Sequence, residues 1–265
     1  MIALLSAIAT AATVSLTGGA VAEEKTAVSA EDPAPTLPGI GTHDQRIRVD
    51  PDAVPWRALG KLQAASLNLR ALCTATLVGP STVVTAAHCV FNRRTQRYFP
   101  PGSLHFLIGY NDGRYTGHAV GIKVQIGDGY DPSRPNETIG SDWALVSLDK
   151  NLGSPNRILP ILSVLPENRD DVRLGGYQKD HPLIVMADTQ CHIVGSLVDA
   201  SGRLLLRHNC DGTNGASGAP LLIYKDGRWH IAAIAVAAEM RIAGGAAAVL
   251  DPLRFTIDGS NLSSP

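Results

Sequence analysis

The sequence predicts an all-β protein, a barrel or a sandwich. From residue 55 onward, short runs of β-branched and aliphatic residues recur along the chain, and Gly, Pro, Asn and Asp cluster between them. Few stretches read as strong helices. With 265 residues, 45% of them hydrophobic, the chain can build one large domain or two small ones around a real core. The formal net charge is −1 and the Lys and Arg residues are scattered, which excludes the basic face a nucleic-acid partner requires.

In order, the N-terminal apolar run ends at Ala20-Val21-Ala22, a small-x-small pattern before Glu23 that reads as a signal peptide over 1–22. No Lys or Arg precedes the run, so the signal is atypical or the start is misplaced; a buried helix is the competing reading. No other run is long enough to span a membrane, so a soluble, secreted or periplasmic product is expected, with no membrane contact after cleavage. Residues 23–40 are acidic and proline-bearing, a propeptide or disordered arm. Strands are then predicted at 56–62, 71–78, 82–85, 104–108, 119–126 and 143–148. After a linker near 151–158 a second set follows at 172–174, 183–186, 191–198, 204–207, 221–224, 230–237 and 246–250. Asp226-Gly227 reads as a hairpin turn. Helical turns are expected only after Ala87 and, weakly, at 252–257.

Cys73, Cys89, Cys191 and Cys210 are even in number, which suits an oxidising compartment. Paired locally as Cys73–Cys89 and Cys191–Cys210, each disulfide closes a short loop and contributes roughly 3 kcal/mol in the chain-entropy model. No metal-ligand spacing competes, and neither a metal nor a cofactor is expected.

Chemistry concentrates in three segments. Gly212-Thr213-Asn214-Gly215-Ala216-Ser217-Gly218-Ala219-Pro220 surrounds one serine with small residues, so backbone N–H groups can turn inward around an exposed hydroxyl. By itself the segment better fits a turn between two strands. Thr85-Ala86-Ala87-His88-Cys89 sets a histidine at a strand end beside a candidate disulfide cysteine, where a general base can be held rigidly. Ser141-Asp142-Trp143-Ala144-Leu145 opens a strand with a carboxylate suited to accept a hydrogen bond from imidazole, or merely to cap a turn.

Taken together, in the order His, Asp, Ser, these segments resemble the trypsin/chymotrypsin family of serine endopeptidases over about residues 45–255. The resemblance implies two six-stranded antiparallel β-barrels, about 50–150 and 159–255 within a peptidase domain of 41–265, with the active site in the cleft between them. It implies His88 as general base and acid, Asp142 as its orienter and Ser217 as nucleophile, with the N–H groups of Gly215 and Ser217 forming an oxyanion hole. Cys73 and Cys89 match the family's disulfide beside the histidine. The expected partner is a protein or peptide substrate, acted on by a monomer; the alternative is a catalytically silent member that binds peptides or a protein.

Two departures mark the chain. Ala216 stands where the animal digestive members carry an Asp that pairs with a newly cut N-terminal amine. This is more like the bacterial secreted branch with the glutamyl endopeptidases, whose entry segments resemble His43-Asp44-Gln45-Arg46 and Val54-Pro55-Trp56-Arg57. Asp211 lies at the spacing before Ser217 where trypsin-like members place their pocket carboxylate, although Cys210 is wired differently; a structural hydrogen-bonding role is the alternative. The pocket wall is expected from Ala235, Val236, Ala237 and Ala238 with Gly244 and Gly245. Glutamyl members carry a histidine where Ala235 or Val236 stands, so a preference for Glu is disfavoured.

Overall fold

The β-branched and aliphatic runs become strands close to where their patterning puts them. A computed structural model describes residues 37–64, 72–240 and 242–250, with the backbone of 65–66, 69–71, 256–257 and 260–261. The expected signal peptide, and the arm up to residue 36, lie outside the described residues. The first half holds β1 (Ile47–Arg48), β2 (Leu59–Ser66), β3 (Leu69–Gly79), β4 (Thr82–Thr85), the short pair β5 (Phe91–Asn92) and β6 (Arg97–Tyr98), then β7 (Leu104–Ile108), β8 (Gly117–Ile126) and β9 (Ala144–Leu148). Strands β2-β3-β4-β9-β8-β7 close into a barrel, β7 pairing back onto β2. Leu59, Leu62, Leu77, Leu104, Phe106 and Ile108 fill its core.

The second half holds β10 (Asp171–Gln178), β11 (His181–Val198), β12 (Leu204–His208), β13 (Pro220–Lys225), β14 (Arg228–Ala238) and β15 (Gly245–Val249). They form a seven-stranded sheet ordered β1-β11-β10-β13-β14-β15-β12. A further β11–β12 pairing carries the hydrogen bonds round a ring, with β1 added outside it. Strand β13 shows why the apolar run 221–223 does not alternate with polar residues. Leu221 and Ile223 pack with Val172, Leu174 and Ile193, whereas Leu222 joins the cluster centred on the first barrel. Among the described residues no helix is long and apolar enough to cross a membrane.

Several expectations are corrected. The run at 56–62 starts as a 3-10 turn, Trp56–Ala58, because the buried indole packs on Gly175 of β10 instead of extending the barrel. The runs at 183–186 and 191–198 are one strand, β11. Asp188 between them is buried, and accepts the N–H groups of Gln190 (2.9 Å) and Asp211 (2.9 Å), so a polar pair of residues passes through the sheet without a turn. Residues 37–40, assigned to the arm, are packed: Ile40 is buried, Gly39 N–H donates to the Glu239 carbonyl and Gly212 N–H donates to that of Gly39. The helix expected at 252–257 falls mostly outside the described residues; its last two positions form β16 (Thr256–Ile257), paired with β17 (Ser260–Asn261). The Asp226-Gly227 hairpin is present, both residues at positive φ between β13 and β14.

Candidate active site

Strand β4 is buried throughout, and Ala86 continues it in extended conformation before the chain folds into the 3-10 turn Ala87–Val90. His88 alone in that turn is not buried. The Cys73–Cys89 disulfide fastens the turn to β3; the other two cysteines are joined as Cys191–Cys210. The turn Ile139–Ser141 delivers Asp142 just before β9, the strand paired with β4. Its carboxylate grips His88 twice: Oδ1 accepts the backbone N–H at 2.8 Å and Oδ2 lies 2.6 Å from Nδ1. An imidazole held in this way carries its hydrogen on Nδ1 and turns Nε2 outward as a proton acceptor.

Ser217 sits in a loop whose backbone is bonded to both halves. Thr74 N–H of β3 donates to the Ser217 carbonyl (3.0 Å), and Gly218 N–H to that of Ala235 (2.8 Å). Gly218 has φ +79°, and a Cβ there would lie 2.2 Å from Thr85 Oγ1 and 2.9 Å from Ala86 N. Only glycine lets the serine loop press against the strand that leads to His88. Gly215, at φ +97°, is closed in likewise by the backbone of Tyr177 to Lys179.

The loop leading to Ser217 has little apolar content, and buried polar groups hold it. Asp211 is fully buried; its Oδ1 accepts Gly41 N–H and its Oδ2 accepts Gln45 N–H, both at 2.7 Å. The expectation that Asp211 faces the pocket is therefore corrected: both oxygens are committed to the N-terminal segment, and it is not among the residues lining the cleft. Arg46 donates to Gln178 Oε1 (2.6 Å), which also accepts Thr213 N–H (2.8 Å). Burial disfavours the Arg46 charge, but bonds to Asp44 and Asp180 outweigh it and hold the guanidinium above its usual range.

His88, Asp142 and Ser217 line one cleft of about 550 Å³. Ala235, Val236, Ala237 and Ala238 form part of its wall, while Gly244 and Gly245 lie outside the lining. Sequence reasoning missed Leu174, His208, Arg93 and Tyr130, which also line it. Burial and the Asp142 carboxylate push the Tyr130 phenol up. His208 is driven down to about 4 by burial alone. No local signal distinguishes His208 in the sequence, since it ends an ordinary strand. Among the described residues one group has metal-ligand geometry, Cys73, His88 and Cys89, and both its sulfurs are spent in the disulfide.

The family profile described as a trypsin-like peptidase domain matches residues 73–231. The chain belongs to that family. This trypsin-like peptidase is thereby a serine endopeptidase by family. Its fold is similar to a Glu endopeptidase solved in complex with MPD, with a TM-score of 0.63, 21% identity, and 80% of this chain and 94% of that one covered. It is also similar to a thermostable serine protease, AL20, from an extremophilic microorganism, with a TM-score of 0.56, 18% identity, and 73% and 91% covered. No curated protein matches the sequence.

Proposed function

We propose that the protein is an exported serine endopeptidase whose active site is the cleft between the two β halves, with Ser217 as nucleophile, His88 as general base and Asp142 as orienter. The double grip of Asp142 on His88, at one wall of a cleft that also holds Ser217, carries the reading. As Ser217 Oγ bonds to the scissile carbonyl carbon, its proton passes to His88 Nε2 and the carbonyl oxygen becomes an oxyanion facing the N–H groups of Gly215 and Ser217. Asp142 stabilises the imidazolium that forms. Collapse of the intermediate breaks the C–N bond, His88 returns the proton to the leaving amine, and water repeats the sequence to free the acyl group.

A leader over 1–22 and an arm trimmed before residue 37 fit this reading, and two disulfides suit a secreted or periplasmic protein acting as a monomer. Labelling of the mature protein by a fluorophosphonate probe tests it. Labelling and proteolysis are expected together, both lost in Ser217→Ala. A Ser217→Ala variant that cleaves protein at the parent rate would overturn the assignment, and a mature protein that never labels would favour the silent peptide-binding member.

A further inference from the structure

Among the described residues, five buried side-chain polar atoms have no hydrogen-bond partner, and two of them, His208 Nε2 and Thr213 Oγ1, belong to residues lining the cleft beside Ser217. Leaving such atoms unpaired in an enclosed site is costly, and two in one cleft mark a place a ligand completes. The tautomer of His208 follows from geometry: Cys210 N–H points at its Nδ1 (3.2 Å), so Nδ1 is an acceptor and the buried ring is neutral, with its hydrogen on Nε2. The residues lining the cleft thus include an uncharged N–H donor and a hydroxyl that both donates and accepts, both buried. Around them the wall is small and apolar, with Gly212, Ala216 and Ala235 to Ala238.

We infer that His208 and Thr213 are the specificity-determining residues of the pocket for the side chain N-terminal to the cleaved bond, and that they select a carboxamide. This rests on the serine-endopeptidase reading of the same cleft. The carboxamide oxygen accepts from His208 Nε2–H, and its NH₂ donates to Thr213 Oγ1, which pairs both orphaned atoms without burying a charge. A carboxylate would enter a site whose histidine is neutral; the one Arg or Lys of the lining, Arg93, belongs to the turn between β5 and β6 in the other half. A Lys or Arg side chain would meet a donor, because Asp211 is turned away to Gly41 and Gln45. Apolar side chains leave both atoms unpaired.

Peptides identical except for Gln, Asn, Glu, Met, Leu or Lys at that position test the assignment, with active sites counted by fluorophosphonate titration. Met matches Gln in length and lacks its hydrogen bonds. Gln or Asn is expected to exceed Met and Glu in kcat/KM by on the order of 10- to 100-fold. In His208→Leu, and independently in Thr213→Val, the Gln-to-Met ratio is expected to fall about tenfold or more; the second variant keeps the test open if the first does not fold. A titratable enzyme that prefers Glu, Lys or an apolar residue overturns the carboxamide pocket and leaves the serine mechanism standing. So does a Gln-to-Met ratio unmoved in a folded variant. A protein that does not label loses both readings at once.

Discussion

The two sides of the cleft are held together by different physics. The side carrying His88 and Asp142 is a closed barrel around Leu, Ile and Phe, and the pair sits on turns that flank buried strands β4 and β9. The Ser217 side depends on a loop of Gly, Ala, Thr and Asn, with too few apolar atoms to fix itself. Its position comes from Asp211, Gln178 and Arg46, buried polar groups that tie it to residues 39–46. Apolar burial is tolerant of detail because it is non-directional, whereas a buried hydrogen-bond network is all or nothing. Ala216 makes this arrangement intelligible. Without a carboxylate beside the serine, backbone N–H groups of Gly41 and Gln45 and the Arg46 guanidinium tie down the loop from within the chain.

The contrast is broken most severely on the barrel side by Asp142→Asn. It leaves the apolar core untouched and is expected to lower kcat by about 10⁴-fold, measured in steady-state hydrolysis, with thermal stability changed little by comparison. Arg46→Ala attacks the other side. Removing a buried cation that serves Asp44, Asp180 and Gln178 is expected to cost about 3 kcal/mol in denaturant unfolding. Fluorophosphonate labelling of the folded fraction should slow as well, and Arg46→Lys should restore it only in part, since Lys cannot fork between carboxylates. Labelling at the parent rate in folded Arg46→Ala would show that the serine loop stands without its anchor.

A pH titration is expected to be milder. His208 titrates at about 4 in the fold, against about 6.5 in the unfolded chain. The unfolded state binds more protons between these values, so this residue's contribution is complete above about pH 6.5 and is lost as pH falls toward 4. Stability should fall by about 2 kcal/mol from pH 7 to pH 5, and that slope should flatten in His208→Leu. Smallest is Asp211→Asn, which retains one acceptor for Gly41 or Gln45 and turns an amide donor toward the other N–H; a loss of about 1–2 kcal/mol is expected in thermal unfolding.

Much of this was legible in the residues. Strands β4 and β7 fall at the bounds their apolar runs predict, because short runs of largely buried β-branched, aliphatic and aromatic residues flanked by turn formers have few other ways to fold. His88 and Asp142 were singled out for a related reason: each stands where an apolar strand meets a turn, and a motif records that local geometry. The alternation of patterns was less help where tertiary contacts intervened. Trp56 left the strand to pack on Gly175, and Asp188 passed through β11 because Asp211 N–H was there to donate to its carboxylate.

What the chain alone determined, then, was the all-β class, most of the strand positions and the local disulfide partners. Each is set by neighbours in sequence: side-chain patterning, loop length, turn chemistry. Only the tertiary structure decided where the polar groups point. Asp211 carried the right spacing for a pocket carboxylate, yet both its oxygens are bound to Gly41 and Gln45, more than 160 residues earlier in the chain. His208 looked like any strand-end histidine until closure of the second sheet put it in the wall of the cleft with Nε2 unpaired. A buried polar side chain takes its role from whichever donor or acceptor the fold brings within 3 Å, and sequence spacing carries no record of that meeting.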